Sequence, residues 1–434
     1  MMRTIDLRGI QPTRAAFELS LPRPRLDVAA ALAVVDELIA DVRTRGSAAL
    51  REQAQRFDGG APATIRVTRD EIDRAVAALP DAVREALDES IARVRRASHA
   101  QIPQSTRTEL GPGAIVEQRW QPVDRAGLYV PGGKAVYPSS VIMNAVPAQV
   151  AGVTSIALAS PPQREYDGAV HPLILGTAGL LGVDEVYAMG GAGAIGALAW
   201  GVADLGLEPV NMITGPGNIY VAAAKRVVRG QTGIDAEAGT TEILVIADDQ
   251  ADPDLVASDL LSQAEHDEAA ASILVTDSAP FADRVVQALS GRVQRTRNST
   301  RAASALSGMQ SAIVLVDDLA AAALFSNVYG PEHLEIHTQE PRRVLEWITN
   351  AGAIFLGPYS PVSVGDYLAG SNHVLPTGGQ ARFSAGLGAY SFLRPQQVIH
   401  YDRSALADVS HRVVTLANAE NLPAHGEAIL SRFE

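Results

Sequence analysis

Glu185-Val186-Tyr187-Ala188-Met189 runs into Gly190-Gly191-Ala192-Gly193-Ala194-Ile195-Gly196, a short apolar strand turning through glycine into a helix. The same alternation extends on both sides of it. Apolar runs at Gly127–Val130, Ser155–Ala159, Val210–Thr214 and Ile243–Ala247 are separated by helical patterns near 140–151, 171–181, 193–204 and 218–229. Strand and helix alternating at this spacing predict a parallel sheet wound on both faces. The pattern resumes with a helix over 253–266, a strand Ser272–Thr276 and a helix over 280–290. It continues through a strand Ala312–Val316, helices over 318–328 and 341–350, and a strand Ala353–Leu356, making a second α/β unit. Upstream, Leu32, Val35, Leu38 and Ile39, then Ile72, Val76 and Leu79, recur at helical spacing and predict helices that cover a sheet built elsewhere. Residues 1–25, broken by Pro12, Pro22 and Pro24, read as an irregular arm. The tail from about 403 reads as a polar helical arm that packs on something other than a core.

The 434 residues exceed one ordinary core and predict two or more domains. With 36 Lys and Arg against 49 Asp and Glu, the net charge of −13 opposes binding to nucleic acid or an anionic membrane. Arg93, Arg95 and Arg96 are better read as the wet face of a helix. Cysteine is absent, which excludes disulfides, thiolate metal sites and a cysteine nucleophile. The first ten residues lack a signal-peptide core, and Asn144, Pro147 and Gln149 interrupt the most apolar stretch. No membrane span is expected, and the expected location is the cytoplasm.

Gly191 to Gly196 match the G-x-G-x-x-G dinucleotide pattern, but no acidic residue follows the next strand to hold a ribose. A tight turn with close helix–sheet packing explains the pattern equally well. Gly215-Pro216-Gly217-Asn218 places a potential N-cap, Asn218, at a helix start whose free N–H groups suit an anion. Tyr129 to Lys134 is another glycine-rich strand end, without the spacing of a P-loop. Gln263 and His266 share a helix face at i, i+3, and an amide oxygen and an imidazole are both possible zinc ligands. Gly330-Pro331-Glu332-His333 ends a helix and sets a carboxylate beside an imidazole in a turn, two proton acceptors of different basicity. A cap with an exposed histidine is the plain alternative. Asp366 and the segment Gly370 to Thr377 read as glycine-rich loops, and Glu420 and His425 lie in the tail. His99, His171, His337, His400 and His411 sit in no comparable setting and read as structural.

Taken in order, GLYVPGG, GPGN, LLSQAEHDE, GPEHLEI, GDYLAGSNHVLPT and AENLPAH closely resemble segments of the histidinol dehydrogenase family, over about Gly127 to His425. The resemblance implies a zinc ion held by Gln263, His266, Asp366 and His425, with Glu332 and His333 as the proton acceptors. It implies substrate contacts from Thr241, Gln263, His266, His333, Asp366, Glu420 and His425, and NAD contacts from Tyr129, Gly193 and Asn218. A serine is more usual where Thr241 stands and a glutamine where Gly193 stands. The implied fold is α/β: two incomplete Rossmann-like doubly wound domains with small N-terminal and C-terminal extensions. The implied division is an arm at 1–25, a larger domain of 26–125 plus 241–385 bearing the metal and acid–base site, a nucleotide-side domain at 126–240, and a helical arm at 386–434 exchanged in a homodimer with shared active sites.

The implied reaction takes L-histidinol through its aldehyde to L-histidine with two NAD⁺, the last step of histidine biosynthesis. Many aldehyde oxidations use a cysteine thiol. Without one, water must add to the aldehyde, and Glu332 is the natural base while His333 takes the alcohol proton. A zinc-dependent hydrolase would use similar side chains but would leave two glycine-rich α/β units without a role.

Overall fold

A computed structural model describes residues 2–23, 28–132, 136–237 and 239–434. Short runs of Val, Ile, Leu and Ala with no polar alternation cannot leave either face wet, so they form parallel strands covered on both sides. In chain order the strands are β1 (Arg3–Asp6), β2 (Thr106–Gly111), β3 (Ala114–Pro122), β4 (Arg125–Tyr129), β5 (Ser155–Ser160), β6 (Val186–Ala188) and β7 (Met212–Thr214). They continue as β8 (Gly233–Ile234), β9 (Glu242–Ala247), β10 (Ala271–Thr276), β11 (Ala312–Leu315), β12 (His333–His337), β13 (Ala353–Leu356) and β14 (Leu393–Tyr401).

One sheet has the order β6-β5-β4-β7-β8, with every pairing parallel. Another has the order β1-β11-β10-β9-β12-β13, also wholly parallel. Setting β1 aside, both have three strands laid down in one direction and two in the other, the Rossmann order short of its last strand. The α/β expectation therefore holds in both halves.

The N-terminal segment is not irregular. Arg3 to Asp6 pair in register with Ala312 to Leu315, because β11 would otherwise present an open edge of backbone donors and acceptors. Phe17, on the helix Arg14–Glu18, is buried edge-on against Phe325. Pro24 and Arg25 of that expected arm lie outside the described residues.

The helices between 28 and 100 also differ from the expected division. The helix Val28–Arg45 packs on the helices Ile219–Val228 and Gly191–Trp200, placing Val35, Ile39 and Val42 in one core with Ile195, Leu198 and Ile213. The helices Arg69–Ala77 and Asp81–Ala100 pack on Pro172–Leu180 and Pro138–Ala151. They thus cover the β4–β8 sheet, while Ser90 of the helix Asp81–Ala100 also donates to the Tyr367 carbonyl at 2.7 Å. Helical periodicity shows which face is apolar but not which sheet receives it.

By contact, residues 1–101 and 124–392 form one unit and residues 102–123 with 393–434 form another. The second unit is a three-stranded antiparallel sheet, β14-β3-β2, with the helices Arg403–Ala419 and Pro423–Leu430. The stretch expected as a helical arm from 386 thus enters this unit through a nine-residue strand. Among the described residues no helix is long and apolar enough to cross a membrane.

Candidate active site

Glycine and proline decide where the acid–base pair sits. Gly330 takes a left-handed conformation (φ 59°) that ends the helix Leu319–Tyr329, and its N–H donates to the Ser326 carbonyl at 2.7 Å. Pro331 cannot extend the helix. Glu332 follows with its carbonyl accepting from Ala353 N–H at 2.9 Å, and His333 opens β12 in register with Ile243 and Ala353. The histidine is therefore the first residue of a central strand rather than part of an exposed turn. Both side chains are buried, at 6% and 5% exposure.

Glu332 Oε2 accepts from Thr241 Oγ1 at 2.6 Å and from Glu242 N–H at 2.9 Å, and lies 3.6 Å from His333 Nδ1. Burial is the dominant influence on this carboxyl and pushes its pKa up to about 7, against the downward pull of His333 and the two hydrogen bonds. His333 Nδ1 lies 3.1 Å from the Glu242 carbonyl oxygen. A carbonyl only accepts, so Nδ1 carries the hydrogen and Nε2 keeps its lone pair. Nε2 is buried and has no hydrogen-bond partner among the described residues.

Gln263, in the last turn of the helix Pro253–Ala264, donates from Nε2 to Thr241 Oγ1 at 2.7 Å. Thr241 spends its own hydrogen on Glu332, so a directed chain runs Gln263 to Thr241 to Glu332. This fixes the amide and leaves Gln263 Oε1 buried without a partner among the described residues. His266 follows the helix end with part of the residue exposed, while loss of water around its ring holds the imidazole below its ordinary value and Asp366 opposes that shift. Asp366 stands in the short helix Val362–Tyr367 rather than in a loop. Its carbonyl accepts from His373 Nδ1 at 3.0 Å, while His373 Nε2 meets Ser140 Oγ at 3.2 Å. The fields of Asp366, His266 and His333 all reach His373, so these residues share one neighbourhood with Glu332, Thr241 and Gln263. A neutral amide oxygen, imidazole nitrogens and a carboxylate suit a borderline metal such as zinc, and an orphaned buried oxygen at Gln263 fits a missing ligand partner.

Glu420 and His425, expected beside these groups, are exposed residues of the second unit, at the end of the helix Arg403–Ala419 and within Pro423–Leu430.

The glycine-rich ends of the other sheet are strongly constrained. Gly215 (φ 120°) lies so close to Tyr129 that a Cβ there would meet the Tyr129 carbonyl oxygen. Its N–H donates to Asp235 Oδ2 at 2.8 Å, and its carbonyl accepts from Lys225, which pairs with the same buried aspartate at 2.5 Å. Asn218 caps the next helix, accepting from Tyr220 N–H at 3.0 Å and Val221 N–H at 3.2 Å. Tyr129 is buried, its hydroxyl accepts from Gly191 N–H at 3.1 Å, and burial pushes its pKa up to about 12. Gly193 lies within the helix Gly191–Trp200. Gln53 and Leu50 fill the space a side chain at 193 would take, so the glycine serves close helix packing. Gly133 and Lys134 lie outside the described residues.

Some supporting groups carry no sequence signal. Arg23 stacks 3.8 Å above the Tyr329 ring and bonds Glu242 Oε1 at 2.9 Å, while Tyr329 Oη–H donates to Glu242 Oε2 at 2.9 Å. This clamp holds the residue whose backbone N–H and carbonyl fix Glu332 and His333. Asp58 lies where a side chain on Gly190 would reach, and burial pushes its carboxyl up to about 6. Of the histidines read as structural, His171 caps a helix by accepting from Leu173 N–H at 3.1 Å. His337 instead lies buried against two carboxylates, Asp259 and Glu335.

Comparison with known proteins places the chain in a family. The family model described as histidinol dehydrogenase matches residues 21–433. The chain is 73% identical over 433 residues to the histidinol dehydrogenase of Leifsonia xyli, covering 100% of this chain and 99% of the relative. It is 55% identical over 437 residues to that of Mycobacterium tuberculosis, covering 100% and 98%. The crystal structure of histidinol dehydrogenase from Elizabethkingia anophelis superposes with a TM-score of 0.92 at 32% identity, covering 100% of this chain and 98% of that one. The chain belongs to the histidinol dehydrogenase family.

Proposed function

We propose that this chain oxidises L-histidinol through its aldehyde to L-histidine with two NAD⁺, a four-electron oxidation closing histidine biosynthesis in the cytoplasm. The observation that carries the reading is the Glu332–His333 pair. One member is a buried carboxyl with its pKa raised to about 7, and the other is a histidine tautomer with a free Nε2. His333 Nε2 takes the alcohol proton in the first oxidation. Glu332 activates water for addition to the aldehyde, a role open to it because the chain has no thiol. Gln263, His266, Asp366 and His425 would hold zinc, which when bound would fix the substrate's imidazole and amino group. Thr241 orients Glu332 and Gln263 together, so its side chain serves both the base and a ligand. Tyr129 and the capped helix start at Asn218 would line the place of NAD, which accepts the hydrides. Glu420 and His425 complete the site of a second copy in a homodimer. Their exposure on a separate unit supports that reading.

NADH absorbance on adding L-histidinol tests the reaction, and Glu332→Gln tests the division of labour. The variant should keep alcohol oxidation while losing aldehyde oxidation by on the order of 10²- to 10⁴-fold in single-turnover assays. Equal loss of both steps would refute separate roles for Glu332 and His333. NADH-independent hydrolysis would favour a metal hydrolase instead.

A further inference from the structure

β12 places His333, Glu335 and His337 on one face, since alternate residues of a strand point the same way. The first serves the site described above; the other two do not. Glu335 is 0% exposed and His337 is 4% exposed, and Asp259 approaches them from one turn earlier on the helix that bears Gln263. His337 Nε2 lies 3.4 Å from Glu335 Oε2 and 3.7 Å from Asp259 Oδ2, and the three donor atoms lie within 4.8 Å of one another. Among the described residues, His337 Nε2 has no hydrogen-bond partner and Glu335 Oε2 has none other than a protonated Asp259. Glu335 Oε1 accepts from Val362 N–H at 2.9 Å, which fixes the carboxylate and presents Oε2 to the cluster.

We propose that Asp259, Glu335 and His337 bind a second divalent transition-metal ion, distinct from the one proposed for Gln263, His266, Asp366 and His425. Donors about 2.0–2.1 Å from a tetrahedral ion stand roughly 3.3–3.4 Å apart, close to the separations here. Two buried carboxylates need compensation. Arg292, a nearby cation, is already paired with Asp254 at 3.2 Å. A divalent ion balances the two carboxylates. One imidazole and two carboxylate oxygens favour zinc, cobalt or manganese over calcium or magnesium, which seek cages of about six oxygens. Burial and Glu335 push the Asp259 carboxyl up to about 7, so metal entry displaces a proton there. His337 lies four residues beyond His333, about 13 Å along the strand, so one ion cannot serve both places. Bound here, the ion ties the helix Pro253–Ala264 to β12 and so steadies Gln263 over Thr241.

The test uses full-length protein stripped with chelator and dialysed against Co²⁺, a stand-in for zinc. Wild type should hold about two equivalents per chain, and Glu335→Gln/His337→Gln about one, with histidinol-dependent NADH formation retained. Gln263→Ala/His266→Asn should remove the other equivalent, so failure of the active-site metal reads separately from failure of this one. Unchanged Co²⁺ content and visible absorption in the Glu335→Gln/His337→Gln protein would overturn the proposal. If that protein does not fold, anomalous scattering at the cobalt edge from wild-type crystals decides. A peak within bonding distance of the three donors supports the site, and its absence after a millimolar soak overturns it.

Discussion

A backbone carbonyl can only accept a hydrogen bond, and at residue 333 that elementary fact assigns a tautomer. With Nδ1–H given to the Glu242 carbonyl, His333 keeps Nε2 as a base without needing a carboxylate partner to orient it. Glu332 is tuned differently, by loss of water, to about 7 from an ordinary 4.5. A general base works only when deprotonated. The rate of aldehyde oxidation should therefore rise with pH through about 7, and this limb should vanish in Glu332→Gln. A profile flat between pH 6 and 8 would exclude Glu332 as the titrating base. The same shift has a cost in stability. The folded chain holds this proton more tightly than the unfolded chain, so Glu332 makes the fold less stable as pH rises from about 4.5 to about 7. The buried carboxyl is thus retained against stability, which supports the role proposed for it. The neighbouring Glu and His were legible in the sequence. Their burial was not, because four residues around a Gly-Pro turn give no sign of what packs over them.

Elements were legible in proportion to how plainly their covering showed. The strands β4, β5, β6, β7, β9, β10 and β11 announce themselves as apolar runs because their faces are largely buried, and β13 does so although it is half-exposed, whereas the two-residue β8 carries no such run. β12 does not. Its sequence, His-Leu-Glu-Ile-His, alternates as if one face were wet, whereas all five residues are buried and the polar face meets Gln263's helix. β2, β3 and β14 carry mixed polar residues on an antiparallel sheet, so no apolar run marks them, and β14 falls where a helical arm from 386 was expected. The helix Pro138–Ala151 shows an element depending on a distant segment. Pro147 lacks an N–H, so the Met143 carbonyl loses its helical partner and accepts from Asn372 Nδ2 at 2.6 Å instead. Asn372→Ala strands a buried carbonyl and should cost about 1–3 kcal/mol, read by urea unfolding. In a Pro147→Ala background the helix supplies its own N–H, so the cost of Asn372→Ala should shrink. Equal costs in both backgrounds would show that the Met143 bond contributes nothing.

At the scale of the molecule, two halves with one strand order have been put to different uses. In the β4–β8 sheet the glycine-rich turns stand at the carboxyl ends of the strands, where Rossmann-type sheets meet their ligands. In the other, Glu242, His333 and Ala353 open β9, β12 and β13, so the acid–base pair stands at the amino ends. Strand order alone therefore could not locate it. The tail adds a third use. Glu420 and His425 lie on a separate unit, and the proposal that they complete a neighbour's site makes a prediction about assembly rather than about one chain. His425→Asn and Gln263→Ala should each remove activity and tight zinc binding at the active site in pure dimers. Co-expressed and isolated by two tags, the mixed dimer concentrates both defects in one site when tails cross and leaves the other site whole. Random pairing makes half of all dimers mixed, and each mixed dimer then has one intact site, so an unsorted mixture should recover about a quarter of the wild-type rate. The sorted mixed dimer should recover about half, with one active-site zinc per two chains in addition to any ion at Asp259, Glu335 and His337. No recovery from the sorted dimer would mean that each chain supplies its own His425.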